Sequence, residues 1–411
     1  MFLTLLQRRN PGLLRAAAEL HRSGALSPNT WVLDTDAIER NARAIATEAA
    51  RLGLDAFAMT KQIGRNPDAA AAIRAGGIGH AVGVDLECAQ AAALAGLAIG
   101  HLGHLVQIPR SRAAEAAALE PLFWTVFSEA QARWAGEAAR ATGREQAVLV
   151  RVVAPEDRFY TGHEGGFPVD EVVQVARLMD EIPGVRFGGI TTFPATLFDA
   201  GDGDVIATPN RRTLTRARAA LEAAGFSGFA VNAPGTTSTA TLAALAEAGA
   251  TQVEPGHGLT GTTPLHAARD LVEDPAIAYV SEVSHLWNGR AYVYGGGLYA
   301  DPVLGIPQTR ALLVRAGEDP AEARQLRVEM PAPEAIDYYA TVPLDIAAAD
   351  GSSAPLDVRE GDTVIFGFRP QVFVTRSETV GIGGLATGTP VLGEPCAANG
   401  GSPVRLWGGA R

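Results

Sequence analysis

The chain has 411 residues, of which 47% are hydrophobic and 19% charged, and its formal net charge is −11 at pH 7. This composition is typical of an α/β globular protein with a large core, and the negative charge without a basic run argues against a nucleic-acid-binding protein. The apolar start at residues 1–6 is followed by polar residues, so we expect neither a secretory signal nor a membrane protein. The two cysteines, Cys88 and Cys396, lie far apart without a metal-ligand spacing, which predicts a cytoplasmic enzyme.

Predicted strands and helices alternate over the first two thirds of the chain. Residues 1–30 are predicted to form an N-terminal helical segment, beginning with one amphipathic helix, and residues 31–45 a strand that enters a helix. Eight apolar runs then alternate with Ala-rich stretches of helical spacing, which predicts a TIM-type (β/α)8 barrel over residues 31–275. An open doubly wound sheet is the alternative, but no GxGxxG motif follows an early strand. The eight runs are residues 57–60, 80–84, 99–106, 122–127, 147–153, 187–193, 229–234 and 251–256.

The last third of the chain has a different pattern of apolar and polar residues. Residues 278–299 and 356–382 alternate apolar and polar positions between Gly and Asp turns, a pattern typical of antiparallel strands. Residues 307–355 are rich in Pro and Ala and are predicted to be irregular. The sequence therefore predicts a second, mostly antiparallel β domain over residues 276–411.

Lys61 is the only lysine among the 34 cationic side chains of Lys and Arg. Arginine stays protonated in proteins, whereas a lysine can lose its proton and become a nucleophile. Lys61 follows the first predicted barrel strand, and the carboxyl ends of barrel strands carry the active sites of TIM barrels. This position predicts a catalytic lysine; a chance residue in an arginine-rich composition is the alternative.

Two Gly- and hydroxyl-rich turns follow the seventh and eighth predicted strands, at residues 233–242 and 254–264. Such turns at helix N-termini are typical of a phosphate site, although every barrel also needs glycines in tight turns. A phosphate site together with a unique lysine predicts pyridoxal 5'-phosphate, bound through its aldehyde by Lys61. Glu254 is then expected to face the ring nitrogen, and an ordinary acid near a helix N-terminus is the alternative for it.

These residues resemble a known family. The strand ending in Lys61, "FAVNAPGTTSTATL" and "VEPGHGLTG" resemble the alanine-racemase-like, fold-type III pyridoxal-phosphate enzymes. The stretches "MTKQIGRNP", "GHLVQIP", "EPGHGLTGT" and "FVTRS" are most similar to a bacterial branch of that family. The resemblance implies a head-to-tail homodimer in which the β domain of one subunit closes the active site of the other. It implies that Lys61 is the Schiff-base lysine, that Glu254 pairs with the ring nitrogen, and that the phosphate is held by Ser238, Gly256 and His257, with Gly258 in the same turn.

The chain also departs from the family pattern. Alanine racemases have an arginine where Glu254 stands, and a carboxylate there resembles the basic-amino-acid decarboxylases of the same fold. The family stacks a histidine on the ring from the sixth strand, where this chain has Thr192. His101 and His104 lie three apart on a predicted strand and are expected to point to opposite faces, so no metal site is predicted. His104 is the one expected to face the cofactor, because it lies in the family stretch "GHLVQIP"; a histidine of the core or rim is the alternative.

The sequence predicts a pyridoxal-phosphate enzyme that acts at the α-carbon of an amino acid or related amine, as a racemase or epimerase. A decarboxylase of the same fold, a non-catalytic pyridoxal-phosphate-binding protein and a sugar-phosphate lyase are the alternatives. Candidates for a second acid or base across the dimer are Tyr294, Tyr299 and Tyr338. Arg369 or Arg376 could bind a carboxylate or phosphate.

Overall fold

The computed structural model describes residues 1–299, 309–344 and 357–402. The chain forms two compact units, which we call the barrel unit and the sheet unit. The barrel unit comprises residues 42–60 and 73–258, and the sheet unit comprises residues 1–41, 61–72 and the described part of 259–411. Each unit thus contains several stretches of the chain, whereas the predicted domains follow one another along it.

The α-helices in the described ranges have the following bounds. They are α1 Phe2–Arg9, α2 Pro11–Arg22, α3 Thr35–Arg51, α4 Pro67–Ala75, α5 Leu86–Leu94, α6 Ala113–Ala118, α7 Glu129–Ala141, α8 Val172–Glu181, α9 Pro209–Ala223, α10 Thr239–Glu247 and α11 Pro264–Ala268. Within residues 1–299, 309–344 and 357–402, every helix is too short or too polar to cross a lipid bilayer.

The strands fall into three sheets. They are β1 Thr30–Asp34, β2 Asp55–Met59, β3 His80–Gly83, β4 Ala98–Leu102, β5 Phe123–Val126, β6 Gln146–Val153, β7 Phe167–Pro168, β8 Val185–Thr191, β9 Thr196–Asp199, β10 Asp204–Ala207, β11 Ala230–Asn232, β12 Gln252–Val253, β13 Ile277–Trp287, β14 Arg290–Tyr294, β15 Arg310–Val314, β16 Gln325–Arg327, β17 Tyr339–Pro343, β18 Thr363–Phe366, β19 Glu378–Gly383, β20 Val391–Leu392 and β21 Cys396–Ala397.

The barrel unit contains a closed parallel barrel of eight strands, as predicted. The strands β2, β3, β4, β5, β6, β8, β11 and β12 are paired in that order. Pairing of β12 with β2, where Val253 lies opposite Ala56, closes the ring. Seven of the eight residues of β6 are buried, because a parallel strand in a barrel is covered on both faces. This double burial explains why the strands were visible in the sequence as continuous apolar runs.

The sheet unit is built on a mostly antiparallel sheet, which confirms the predicted β domain. Its strand order is β16-β15-β18-β13-β1-β19-β20, with β14, β17 and β21 attached beside it. The strand β1 comes early in the chain, yet it pairs antiparallel with β13 and parallel with β19. The prediction of irregular structure over residues 307–355 is wrong in the described part, because β15, β16 and β17 lie there. These strands are short and lie between Pro- and Ala-rich stretches, so local composition did not reveal them.

Two helices, rather than the single amphipathic helix expected, begin the chain. Asn10 ends α1 and caps α2, since its Oδ1 accepts a hydrogen bond from the Leu13 N–H at 3.1 Å, and Pro11 occupies the first position of α2. The apolar faces of both helices pack on the sheet. The shared core cluster includes Leu3, Leu6, Leu13, Leu14, Val32, Val280, Ile365 and Val380.

Candidate active site

Glu254 lies at the centre of a buried polar cluster in the barrel unit. It follows β12 directly and is only 5% exposed. The Asn232 side chain, at the end of β11, donates from Nδ2 to Glu254 Oε1 at 2.9 Å. Thr191, at the end of β8, donates from Oγ1 to Asn232 Oδ1 at 2.7 Å. Three neighbouring strands therefore end in one hydrogen-bonded row at the carboxyl end of the barrel, where TIM barrels carry their active sites.

His101 extends this row to the other side of the barrel. It lies on β4, is fully buried, and its Nδ1 hydrogen-bonds Glu254 Oε1. Its Nε2 hydrogen-bonds the Thr125 hydroxyl of β5. A carboxylate can only accept, so Nδ1 carries a proton and donates it to Glu254. Thr125, His101 and Glu254 thus form one continuous chain of buried hydrogen bonds.

His104 lies beside His101, which corrects the expectation that the two rings point to opposite faces. The strand β4 ends at Leu102, and Gly103 has a φ of +74°, so the chain turns before His104. The two rings are 5.1 Å apart between centroids, and His104 Nε2 lies 3.6 Å from Glu254 Oε2. Ligand atoms of His101, His104 and Glu254 all lie within 4.8 Å of one another, an arrangement that could hold a metal ion. The expectation that His101 and His104 are too far apart to share a metal ion was therefore wrong. Both ring nitrogens of His101 nevertheless make hydrogen bonds within the protein.

The cluster determines the charge of Glu254. Burial alone would raise the pKa of this carboxyl group, but His104, His101 and the hydrogen bonds outweigh it and lower the pKa to about 2. Glu254 is consequently a carboxylate at neutral pH. A buried carboxylate of this kind can hold a proton on a cationic nitrogen placed next to it.

Thr192 and Phe193 lie beside the cluster. Thr192 is buried, and its hydroxyl has no hydrogen-bond partner in the described part of the chain. The Phe193 ring lies 5.3 Å from the His104 ring and 6.0 Å from the Tyr160 ring, measured between centroids. The position that the family fills with a histidine is thus followed by an aromatic side chain that contacts His104. The roles of Thr192 and His104 toward a cofactor stay predictions.

Arg151 is a buried cation near these aromatic side chains that the sequence reasoning missed. It lies on β6 with 1% exposure, and its Nη2 donates to the His163 carbonyl at 2.6 Å. Its guanidinium lies over the Phe127 ring at 4.6 Å and over the Phe159 ring at 5.5 Å. Burial lowers the pKa of Arg151 to about 10, so it remains a cation. An arginine inside the apolar run at residues 147–153 was the available signal.

The first turn predicted to bind phosphate meets the start of the second, residues 254–258, in the barrel unit. A Cβ atom built on Gly258 would lie 2.4 Å from the Thr237 carbonyl oxygen, so only glycine permits this approach. Ser238 is the N-cap residue of α10, and its backbone N–H donates to Thr241 Oγ1 at 3.0 Å. The Ser238 side chain is buried at this helix N-terminus.

These turns fit a phosphate group. The close approach at Gly258 and the buried Ser238 side chain at a helix N-terminus are the observations that support this fit. Gly256 and His257 are also buried in the second turn. Their contact with a phosphate stays a prediction.

Lys61 follows the barrel strand β2 but belongs to the sheet unit. It lies in a short 3-10 helix, Thr60–Ile63, two residues beyond Met59. Lys61 is half-buried, and its Nζ lies 5.5 Å from the centroid of the Phe373 ring. Within the barrel unit, the Met59 N–H donates to the Pro255 carbonyl at 2.8 Å, next to Glu254 in the chain.

The other candidates in the sheet unit are exposed tyrosines and an arginine that hydrogen-bonds to the backbone. Tyr294, Tyr299 and Tyr338 are exposed by 36%, 54% and 60%. Arg376 donates to the backbone carbonyls of Ile336 and Asp337 at 3.2 and 2.9 Å, so it stabilises a turn.

Comparison with known proteins identifies the two halves of the chain. Residues 33–264 match the family model for the alanine racemase N-terminal domain, and residues 278–392 match the YhfX-like C-terminal domain. The chain is 37% identical over 392 residues to the uncharacterized protein YhfX of Escherichia coli strain K12. The match covers 95% of this chain and 97% of YhfX.

Solved structures share the fold at low sequence identity. D-threonine aldolase from Filomicrobium marinum matches with a TM-score of 0.64 and 19% identity, over 91% of this chain and 95% of the aldolase. D-threo-3-hydroxyaspartate dehydratase from Delftia sp. HT23 matches with a TM-score of 0.60 and 20% identity, over 90% and 97%. An alanine racemase of Clostridium difficile 630 matches with a TM-score of 0.59 and 14% identity, over 90% and 98%. Together with the family models, these matches confirm the resemblance seen in the sequence: the chain belongs to the alanine-racemase-like, fold-type III family, together with YhfX.

Proposed function

We propose that the protein is a pyridoxal-phosphate-dependent enzyme that acts at the α-carbon of an amino acid or related amine. The observation that carries the proposal is Glu254, a buried carboxylate whose pKa is lowered to about 2 by its partners. Pyridoxal phosphate, when bound, supplies an electron-withdrawing ring that stabilises negative charge at the α-carbon. A permanently charged Glu254 would keep a proton on the ring nitrogen, which strengthens that effect.

Each residue of the candidate site would have a distinct role. Lys61 would hold the cofactor through its Nζ and, once a substrate amine has displaced it, accept or return the α-proton at the same atom. His101 and Asn232 would hold Glu254 in place. The phosphate would be held by Ser238, Gly256, His257 and Gly258, and the ring would be flanked by Thr192 and His104.

Racemisation or epimerisation is the reaction that we propose. It requires only Lys61 and one second acid or base, which the resemblance predicts to come from the partner subunit of a head-to-tail homodimer. Decarboxylation is the second candidate, because the carboxylate at position 254 replaces the arginine of alanine racemases. The solved relatives are named racemase, aldolase and dehydratase, so the fold does not decide between reactions. Cys88 and Cys396 are not joined in a disulfide, which agrees with our proposal of a cytoplasmic enzyme.

The visible spectrum of the purified protein tests the cofactor assignment. We expect a yellow protein whose visible band is removed by borohydride, with the pyridoxyl group then found on Lys61 by peptide mass spectrometry. A Lys61→Ala variant should lack the band, and Lys61→Arg is the matched control that keeps the positive charge. A protein that stays colourless after addition of pyridoxal phosphate would contradict the proposal and favour a sugar-phosphate lyase.

A screen of amino acids in deuterated water then tests the reaction. Deuterium incorporation at the α-carbon with loss of optical rotation is the result expected for a racemase or epimerase. Release of CO2 would instead support the decarboxylase. A protein that binds the cofactor but changes no amino acid would be a pyridoxal-phosphate-binding protein without turnover.

A further inference from the structure

We propose that Arg151 binds the carboxylate of the substrate, and that the enzyme therefore acts on amino acids rather than on amines that lack a carboxylate. This deepens the proposed function and rests on it for the identity of the ligand. Arg151 is 1% exposed, and its Nε and Nη1 make no hydrogen bond within the described part of the chain. Buried N–H donors are nearly always paired in proteins, so these two nitrogens indicate a ligand group that accepts from them.

The strand register places Arg151 among the inward side chains of the barrel. Arg151 lies opposite Thr191 in the pairing of β6 with β8, and paired residues of neighbouring strands point to the same face. Leu149, two residues earlier on β6, lies opposite Thr125 of β5. The hydroxyls of Thr191 and Thr125 belong to the hydrogen-bonded row around Glu254. Arg151 therefore lies between the two ends of that row, at the carboxyl end of the barrel.

The groups that contact the guanidinium do not satisfy these two nitrogens. Nη2 of Arg151 donates to the His163 carbonyl at 2.6 Å. The ring centroids of Phe127 and Phe159 lie 4.6 and 5.5 Å from Cζ of Arg151. An aromatic face attracts a cation but offers no strong hydrogen-bond acceptor. The Nε and Nη1 donors are thus left for another acceptor.

The acidic side chains that act on Arg151 electrostatically are hydrogen-bonded elsewhere. They are Asp157 and Glu164. The Thr213 hydroxyl donates to Asp157 Oδ1 at 2.6 Å, and the Gly162 N–H donates to Glu164 Oε2 at 2.7 Å. Among the residues that the structure describes, Arg151 has no ion-pair partner, so its charge is available to an anionic ligand.

A carboxylate is the anion that suits this position. A guanidinium presents its N–H donors in a planar fork that matches the two oxygens of a carboxylate. An amino acid carries such a group on the carbon at which the proposed reaction occurs. The cofactor's phosphate is expected elsewhere, at the turns that follow β11 and β12, and β8 separates β6 from β11.

The loop of residues 154–166 covers Arg151, because Phe159 and His163 belong to it. Both unpaired nitrogens are buried under this cover, so a ligand reaches them when the loop moves. More than half of the loop residues are exposed, and Gly162, Gly165 and Gly166 have positive φ angles. Few contacts therefore oppose such a movement.

Binding of propionate to the protein without cofactor tests the site itself. Thermal unfolding is followed against the concentration of sodium propionate, with sodium chloride keeping the ionic strength constant and neutral propionamide as the matched ligand. Propionate should stabilise the wild type in a saturable manner, and propionamide should not. Arg151→Met should bind propionate at least about 10-fold more weakly, because the charged hydrogen-bond donor is lost.

A matched control separates the guanidinium from the loop that covers it. Thr213→Val removes the hydrogen bond to Asp157 and loosens the loop but keeps Arg151, so its propionate affinity should equal that of the wild type. If Arg151→Met does not fold, Arg151→Lys keeps the charge without the planar fork and should bind propionate several-fold more weakly than the wild type. A wild type that propionate does not stabilise, equal affinities in the wild type and the Arg151 variant, or an equal loss in Thr213→Val would overturn the proposal.

A second titration identifies the group of the substrate that Arg151 recognises. D- and L-amino acids, and the α-carboxamide of each, are added to protein loaded with pyridoxal phosphate, and the change in the visible spectrum is measured. The wild type should bind the amino acid at least about 10-fold more tightly than its carboxamide, and Arg151→Met should lose this preference. A preference that persists in Arg151→Met, with or without weaker cofactor binding, would overturn the proposal. A wild type that binds propionate through Arg151 but captures no pyridoxal phosphate would contradict the proposed function alone.

Discussion

Replacement of His101 by leucine should raise the pKa of Glu254 and change how the stability of the protein depends on pH. The buried leucine removes a cationic or dipolar partner and the hydrogen bond to Glu254 Oε1, while His104 and Asn232 remain. A hydrogen bond to a charged group contributes about 1.5–3 kcal/mol, which corresponds to about one to two pKa units. We therefore expect His101→Leu to lower the free energy of unfolding by about 2–3 kcal/mol at pH 7.

The sign of the pH dependence follows from linkage. In the wild type the folded-state pKa of Glu254 is about 2, below the ordinary value of 4.5. The stability that Glu254 contributes is fully present above pH 4.5 and is lost as pH falls toward 2, because the unfolded chain then binds the proton more readily. In His101→Leu the folded-state pKa of Glu254 is closer to the unfolded value, so Glu254 contributes less stability at pH 7 and less is lost as the pH falls. The difference in unfolding free energy between the wild type and His101→Leu should consequently narrow between pH 7 and pH 3.

Equilibrium unfolding in urea, followed by tryptophan fluorescence at several pH values on the protein without cofactor, measures this difference. Thr125→Val is the matched control, since it removes the other hydrogen bond of His101 but does not contact Glu254. Its difference from the wild type should stay constant over the same pH range. A constant difference for His101→Leu as well would refute the reasoning that His101 keeps Glu254 charged.

Two further predictions concern the surroundings of the cluster. Gly258→Ala places a methyl group 2.4 Å from a carbonyl oxygen, so it should lower the free energy of unfolding by about 1–3 kcal/mol and weaken pyridoxal-phosphate binding measured by titration. Gly79→Ala is the control: a Cβ atom at Gly79 meets open space, so both the stability and the binding should stay unchanged. Arg151→Met should free the loop of residues 154–166 from the barrel and make trypsin cleave faster after Arg158, with Arg151→Lys intermediate. Equal cleavage rates in the wild type and the methionine variant would show that Arg151 does not anchor the loop.

The barrel could be predicted because its strands are buried on both faces and therefore have continuous apolar sequences. The position of β1 could not, because it pairs with β13 and β19 more than 200 residues away and no local pattern specifies distant partners. The end of the predicted strand at residues 99–106 could not be predicted from the sequence pattern either. Its alternation fails at Gly103, where a positive φ ends the strand and brings His104 beside His101.

The candidate site was partly visible from residue types at strand ends. Lys61 was singled out as the only lysine and because it follows a barrel strand, and Glu254 because it ends another. Their neighbours were not: His101 reaches Glu254 across 153 positions, and the buried hydrogen bonds of Asn232 depend on the pairing of β11 with β8 and β12. A polar residue at the end of an apolar run, such as Asn232, was the signal that could have predicted the rest of the cluster.

The most direct test of the central claim compares the wild type with Glu254→Gln, both loaded with pyridoxal phosphate. The measurement is the rate at which an amino-acid substrate exchanges its α-hydrogen with deuterated water. Glutamine keeps the size and the hydrogen-bond acceptor of Glu254 but removes its charge, so we expect a loss on the order of 100-fold in exchange rate with the cofactor still bound. An exchange rate in Glu254→Gln equal to that of the wild type would contradict the claim that the buried carboxylate drives chemistry at the α-carbon.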